Sequence, residues 1–168
     1  MKKLINFAIA AIVTASLSSC GYNSSVKLDE KVKAQWGEVE NQYQRRSDLI
    51  PNLVASVKGA ANFEKETLTA VIEARAKATS VTVDPSKTSP EDLQKFQAAQ
   101  GQLSQALGRL MVVSERYPEL KANQNFLELQ SQLEGTENRI TVARRDFNMA
   151  VQDYNGNIRT FPNNIFEM

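Results

Sequence analysis

Residues 124–161 constrain the fold of this chain more than any other stretch, because they carry one apolar stripe at helical spacing. One row of the stripe repeats every seven residues with large side chains, and a second row between them is mostly small. The large row is Phe126, Leu133, Ile140, Phe147, Tyr154 and Phe161, and the second row is Leu129, Thr136, Ala143 and Ala150. Because the stretch has no proline, it predicts one helix roughly 55 Å long. Other helices must cover such a stripe, so the stretch predicts an all-α protein.

The composition excludes several classes of function. The chain has 168 residues, which favours one domain, and its 20 Lys plus Arg nearly balance its 19 Asp plus Glu. No block of like charge provides the basic face expected of a nucleic-acid-binding protein. The chain has no histidine and one cysteine, so it lacks the commonest general base, the commonest metal ligand and any thiolate zinc site. We therefore predict no cofactor, no small-molecule substrate and no enzymatic activity.

The N-terminus has the pattern of an export signal. Lys2 and Lys3 precede an apolar run of about 14 residues, which suits the core of a signal peptide. The following Leu17-Ser18-Ser19-Cys20-Gly21 resembles the lipobox of bacterial lipoproteins. That resemblance implies cleavage after a signal peptide of residues 1–19, lipid on Cys20, and a tether over 20–25. Several acyl chains on one residue form a durable membrane anchor. The alternative is an ordinary secretory signal that happens to contain a cysteine.

The first helical pattern of the mature chain covers about residues 26–60. Its apolar stripe is Val32, Trp36, Val39, Tyr43, Ile50, Leu53, Val57 and Ala60. Pro51 lies inside it, and an interior proline removes one backbone hydrogen bond at a cost of about 3 kcal/mol. The stripe keeps its phase across Pro51, so we predict one helix kinked there. A break near 48–51 is the alternative.

Two shorter patterns follow before the last helix. Asn62 is a candidate cap for a second helix, whose apolar pattern includes Leu68, Val71, Ile72 and Arg75 and fades near Thr79. Residues 80–89 are a predicted loop. Ser89-Pro90 with Asp92 predicts the start of a third helix, because serine caps and proline suits the first turn. Its stripe is Leu93, Phe96, Leu103, Leu107, Leu110 and Ser114, and it stops at Tyr117-Pro118.

The last helix is expected to begin near Asn123, with the asparagine as a cap. Alternating helix direction predicts an antiparallel, up-and-down four-helix bundle over residues 26–161, with a short tail at 162–168. Its far end, away from Cys20, would hold the turns at 60–62 and 117–122.

Arg46 is the one charged residue in the stripe of the first helix. The antiparallel alignment places it level with Ile140 and near Glu137. A buried arginine needs a carboxylate partner, so we predict that Arg45 or Arg46 pairs with Glu137 or Asp146. A structural ion pair, a polar layer that fixes helix register, a side chain that reaches water and a ligand site are the alternatives.

Other candidate sites have simpler explanations. Ferritin-like metal sites need histidines beside their glutamates, so the acidic residues are best explained as a solvated helix face. They are Glu64, Glu66, Glu73, Glu115, Glu119, Glu128, Glu134 and Glu137. Gly101 and Gly108 lie on one side of the third helix and suggest a close approach of another helix.

Three motifs resemble the signature of the LemA family. The first is Gln44-Arg45-Arg46-Ser47-Asp48-Leu49-Ile50-Pro51-Asn52-Leu53-Val54 with Val57-Lys58-Gly59. The second runs from Tyr117-Pro118-Glu119-Leu120 to Asn125-Phe126-Leu127. The third runs from Thr136-Glu137-Asn138-Arg139-Ile140 to Tyr154-Asn155. The resemblance covers about residue 26 to Pro162. It implies a helical bundle outside the cytoplasm, attached to a membrane through its N-terminus, with no catalytic residues.

These observations predict a non-enzymatic module that is anchored to a membrane of the bacterial cell envelope through lipidated Cys20. The expected partner is another envelope protein, bound through the far end or the 80–89 loop. One alternative is a peripheral module that senses or shapes the bilayer, against which the balanced charge argues. A hydrolase or metal enzyme is the alternative that the composition favours least.

Overall fold

A computed structural model describes residues 2–60, 63–83, 89–161 and 163–165, with side chains from residue 23 onward except that of Ile165. Every regular element in these residues is helical, which confirms the all-α class. The elements are α1 (Lys2–Lys58), α2 (Lys65–Ser80), α3 (Pro90–Ser114), α4 (Pro118–Lys121), α5 (Gln124–Arg159) and a 3-10 turn (Asn163–Ile165). The short α4 was not expected, and α1 begins before residue 26.

Helix α1 continues through Pro51, so the alternative of a break near 48–51 is wrong. Because proline has no N–H, the carbonyl oxygen of Ser47, four residues earlier, loses its partner within the helix. Arg75 of α2 supplies the missing donor, with its Nε 2.9 Å from that oxygen. The fold therefore satisfies the defect in α1 with a side chain from another helix.

Helix α2 packs through a face that overlaps only partly with the expected one, since Leu68 and Val71 are buried as predicted. Its buried residues are Thr67, Leu68, Val71, Ala74 and Ala78. Ile72, which the sequence pattern placed in the stripe, is 45% exposed. The residue before the helix, Glu64, makes no side-chain cap, and the predicted cap Asn62 lies outside the described residues. The Thr67 hydroxyl donates to the Glu64 carboxylate instead, at 3.1 Å.

Helix α3 begins as its sequence predicts. Ser89 Oγ accepts a hydrogen bond from the backbone N–H of Asp92 at 3.1 Å, and the serine hydroxyl donates to Asp92 Oδ2 at 2.8 Å. This hydrogen bond lowers the pKa of the Asp92 carboxyl below its ordinary value of 3.8, because it stabilises the charged form. The predicted stripe from Phe96 to Ser114 is buried. The capping arrangement therefore fixes where the helix starts.

The expected role of Gly101 and Gly108 is wrong. Both lie on the exposed side of α3, and a Cβ added at either position would meet no atom within 4 Å. No helix approaches closely there, so these glycines only weaken the helix.

Helix α5 begins where predicted, since Asn123 Oδ1 accepts from the N–H of Phe126 at 3.2 Å. Its stripe is buried at Phe126, Leu133, Thr136, Ile140, Ala143 and Ala150, and Phe147 and Tyr154 are half-buried. The assignment of Phe161 to the stripe is wrong. The helix ends at Arg159, so Phe161 leaves the helical spacing and is 80% exposed.

The chain divides into two compact units, of which the larger is Val39–Val142. Its hydrophobic core takes side chains from α1, α2, α3 and α5. They include Ile50, Leu53, Val57, Leu68, Val71, Leu103, Leu107, Leu110, Phe126 and Leu133. The turn before α2 and the turn after α3 meet in this unit, since the rings of Phe63 and Tyr117 lie 4.8 Å apart.

The smaller unit is Met1–Glu38 with Ala143–Met168. In it α1 and α5 run antiparallel. Ser25 bonds to Asn157, and Trp36 packs on Phe147 with ring centroids 5.1 Å apart. Lys31 and Asp153 add an exposed ion pair of 2.9 Å between these contacts, which contributes little to stability.

Candidate functional site

Arg46 lies in the core of the larger unit with only 1% of its surface exposed. Its Nη1 donates to Glu137 Oε1 of α5 at 2.6 Å and to Ser104 Oγ of α3 at 2.6 Å. The structure thus brings together the arginine and the carboxylate named from the sequence. Asp146, the other carboxylate considered, accepts from its neighbour Arg145 at 3.0 Å.

Arg46, Ser104, Glu137 and Gln100 form a polar layer, and Gln100 of α3 is its second centre. Its side-chain oxygen and its backbone carbonyl both accept from Arg46 Nη2, at 2.6 and 3.2 Å. Its Nε2 donates to the carbonyl of Ala78 at 3.2 Å. That carbonyl belongs to the last turn of α2, where carbonyls have no partner within the helix. One glutamine therefore links α1, α2 and α3.

The layer is built to hold helices rather than to react. The guanidinium of Arg46 also lies over the ring of Tyr43, 5.1 Å from the centroid. The hydrogen bonds of Arg46 to Ser104, Glu137 and Gln100 reach α3 and α5, so its charge is compensated inside the protein. The Glu137 side chain is 41% exposed, so the pair is only partly removed from water and its net effect on stability is moderate.

A small cavity of about 120 Å³ adjoins the polar layer. Tyr43, Ser47, Phe96 and Gln100 are among the residues that line it. The buried Ser47 Oγ has no hydrogen-bond partner among the described protein atoms. The described lining of the cavity offers no nucleophile–base pair.

The acidic residues make separate contacts. Glu64 pairs with Arg116 at 2.7 Å, Glu115 pairs with Lys121, and Glu128 and Glu134 accept from glutamines one turn away. In the described part of the chain, no three Asp, Glu, His or Cys side chains form a group that could hold a metal ion.

An open groove of about 530 Å³ lies at the turn between α1 and α2 in the larger unit. Its apolar lining is Ala60, Phe63, Leu68 and the exposed Ile72. Thr69 is polar, and the two charged residues that line the groove are Lys58 and Lys65. The sequence had pointed to the turn after α1 only as an accessible surface. Ile72, which the periodicity placed in the core, is the exposed apolar residue of the groove.

The side chain of Cys20 lies outside the described side chains, so its lipidation stays a prediction. The backbone around it is part of α1. Within the described residues, no helix combines the length and the apolar character needed to cross a membrane.

Sequence reasoning missed Gln100, Ser104 and Arg75. Gln100 stands four residues after Phe96 and three before Leu103, so it occupies a stripe position of α3. A polar residue on an apolar stripe was the signal that singled out Arg46, and the same signal was available for Gln100. Arg75 also had this signal, because it is a charged residue at a predicted stripe position of the second helix. Ser104 had no such signal, because its contact depends on how the helices pack.

In the residues that the structure describes, fold and site define an all-helical module with a polar layer around Arg46. Its sequence matches the family model described as "LemA family" over residues 35–168. The chain therefore belongs to the LemA family.

Curated relatives agree with this assignment. Protein LemA of Metamycoplasma hominis is 32% identical over 118 residues, which cover 70% of this chain and 50% of that protein. Magnetosome protein MamQ 2 of Paramagnetospirillum magneticum is 28% identical over 162 residues, covering 84% of this chain and 58% of the relative. Magnetosome protein MamQ of Magnetospirillum gryphiswaldense is 27% identical over 176 residues, covering 92% and 62%. The chain thus spans about half to three-fifths of the length of these relatives.

Proposed function

We propose that this protein is a lipid-anchored, extracytoplasmic module of the bacterial cell envelope that binds another envelope protein and catalyses no reaction. The anchor is the acylated Cys20, and its support is the lipobox-like Leu17–Gly21 after a short apolar run. Membership of the LemA family is consistent with a binding role but does not name a partner.

We infer that the helices form an antiparallel four-helix bundle. In the larger unit, Glu64 pairs with Arg116 and Ala78 with Gln100, so α2 and α3 run in opposite directions. The common core of α1, α2, α3 and α5 supports the same arrangement. The polar layer around Arg46 would then fix the register of the helices, as buried polar residues do in coiled coils.

The observation that carries the binding role is the groove of Phe63, Leu68 and Ile72 with Lys58 and Lys65. The exposed Ile72, beside the edges of the buried Phe63 and Leu68 and next to two lysines, suits a protein segment that presents apolar residues beside carboxylates. The apolar contacts would supply affinity, and the lysines would orient the segment.

Site-specific photocrosslinking in living cells tests this role. A photoreactive amino acid at Ile72 should give a discrete adduct with one envelope protein. The same amino acid at Val112, which is 71% exposed but does not line the groove, is the matched control. The paired change Lys58→Glu with Lys65→Glu should remove the adduct at Ile72. Equal labelling from both positions, or an adduct that survives the charge reversal, would refute the groove as the binding site.

The anchor has its own test. Intact-mass measurement of the processed protein should show a chain that begins at Cys20 and carries acyl groups. The Cys20→Ser variant should leave the membrane fraction. A Cys20 thiol that remains free in the mature wild-type protein would overturn the anchor.

A further inference from the structure

Phe161 is the most exposed large apolar side chain among the described residues, at 80%. It stands in the turn that follows α5, where the helix ends at Arg159. A single exposed apolar residue on a protein surface is ordinary. The position of Phe161 in the smaller unit indicates a specific role for its side chain.

The turn that carries Phe161 is held in place on both sides. The backbone N–H of Thr160 donates to the Asn157 carbonyl at 3.2 Å, and the N–H of Asn164 donates to the Thr160 carbonyl at 3.1 Å. The buried Asn163 donates from Nδ2 to the Asn157 carbonyl at 3.2 Å and to Asn157 Oδ1 at 2.9 Å. The turn is thus built by hydrogen bonds, and it presents Phe161 outward.

The same asparagine ties this turn to the start of the mature chain. Ser25 Oγ donates to Asn157 Oδ1 at 2.9 Å, and Asn157 Nδ2 donates to Ser24 Oγ at 3.2 Å. Cys20 precedes Ser25 by five residues on the helical backbone of α1, a rise of about 7 to 8 Å. Phe161 therefore lies at the end of the smaller unit to which the lipid would be attached.

We infer that Phe161 inserts into the interfacial region of the bilayer and acts as a second, non-covalent contact beside the acylated cysteine; this rests on the proposed lipid anchor. Apolar side chains such as Phe, Trp and Leu on surface-bound segments bury at the boundary between headgroups and acyl chains. The exposed Val26 follows Ser25 directly and adds apolar surface at the same end. Lys27 and Arg159, within two residues of Ser25 and Phe161 respectively, suit the phosphate groups of lipids.

Such a contact would orient the module on the membrane. An attachment at Cys20 alone would not fix the direction in which the unit lies on the bilayer. A second contact through Phe161, with Asn157 bonded to both Ser24 and Ser25, would place the end of α5 against the bilayer. The partner is the lipid surface itself.

Fluorescence quenching in vesicles tests the inference. The processed, lipidated protein with Trp36→Phe and Phe161→Trp carries one tryptophan, at the inferred contact. It is reconstituted in phosphatidylethanolamine–phosphatidylglycerol vesicles whose acyl chains are brominated near the headgroup. Met149→Trp in the same background is the matched control, because position 149 is half exposed and lies about 15 Å from Arg159 along α5.

Tryptophan at position 161 should emit at shorter wavelength and lose intensity to the brominated lipid, whereas tryptophan at position 149 should do neither. Equal quenching at both positions would overturn the orientation. If the emission shift at position 161 instead increases with the number of protein molecules per vesicle and bromine does not quench it, Phe161 contacts a second copy of the chain. That result would overturn the lipid contact. Flotation of the vesicles separates the two proposals. Protein that floats without quenching at 161 refutes this inference alone, and protein that does not float refutes the anchor and the inference together.

Discussion

The hydrogen bond from Arg75 to the Ser47 carbonyl is the contact that makes Pro51 tolerable inside α1, and a double-mutant cycle can measure it. The change Arg75→Met removes the donor and keeps an unbranched apolar side chain of similar length. With Pro51 present, the Ser47 carbonyl then has no partner from either residue. In the Pro51→Ala background, the N–H of residue 51 returns to that carbonyl within the helix.

The expected magnitudes follow from this geometry. Ser47 is 3% exposed, so water replaces the lost donor poorly. Removing a charged donor from a buried carbonyl costs about 1 to 3 kcal/mol. In the Pro51→Ala background, the same change should cost less than about 1 kcal/mol, because the carbonyl is already paired. The interaction energy of the cycle is therefore about 1 to 2 kcal/mol.

Urea unfolding of the four proteins, followed by circular dichroism, gives each free energy of unfolding. Arg109→Met, at an exposed position of α3, is the control and should stay within about 0.5 kcal/mol of the wild type. If Arg75→Met costs the same with proline and with alanine at residue 51, the two residues are independent. That result would refute the explanation of how α1 accommodates its proline.

Three further predictions concern stability. Gly101→Ala and Gly108→Ala should each raise the free energy of unfolding by up to about 1 kcal/mol, because the added methyl meets no neighbour; a loss in thermal melting would reveal an unseen close contact. Phe126→Ala should lower the free energy of unfolding by about 3 to 5 kcal/mol through a cavity in the core, and a loss below 1 kcal/mol would contradict its central place. Ser89→Ala should cost about 1 kcal/mol as a lost cap and raise the pKa of Asp92 toward 3.8 in an NMR titration. Because the folded pKa of Asp92 lies below the unfolded one, its contribution is present above the unfolded value and fades as pH falls through the folded value. An unchanged Asp92 pKa in the variant would show that the serine hydroxyl is not its cause.

The sequence predicted those parts of the fold that depend on local spacing. The stripe of α3, the stripe of α5 before Phe161, the start of α3 at Ser89 and the cap at Asn123 follow from residue types at fixed offsets. The structure confirms them, with Phe147 and Tyr154 half-buried. The position of Arg46 opposite Glu137 required one further assumption, an antiparallel alignment. The structure places the two side chains in contact, and a buried arginine needs such a carboxylate partner.

Other features depend on packing, which periodicity does not describe. Ile72 fits the helical spacing of α2 as well as Ala74 does, and only the position of the neighbouring helices decides which one is covered. Phe161 continues the seven-residue row in sequence, but the helix ends two residues earlier. The seven-residue spacing therefore no longer places Phe161 on the face of α5 that carries the row. The two glycines of α3 illustrate the same limit, because small residues in a helix are compatible with close approach and with open solvent.

The position of the groove depends on which contacts fix α2. Arg75 and Ala78 are held by polar contacts to α1 and α3, but both lie in the C-terminal half of the helix. The groove lies in the other half, where Glu64 pairs with Arg116 just after α3; this ion pair is exposed and contributes little. The groove is positioned by the stacking of Phe63 on Tyr117 and by the packing of Leu68 in the hydrophobic core. Because Phe63 also lines the groove, the same ring that supports the surface is part of it. The groove is thus formed by the folded core itself, and a partner would bind it with little cost for ordering new structure.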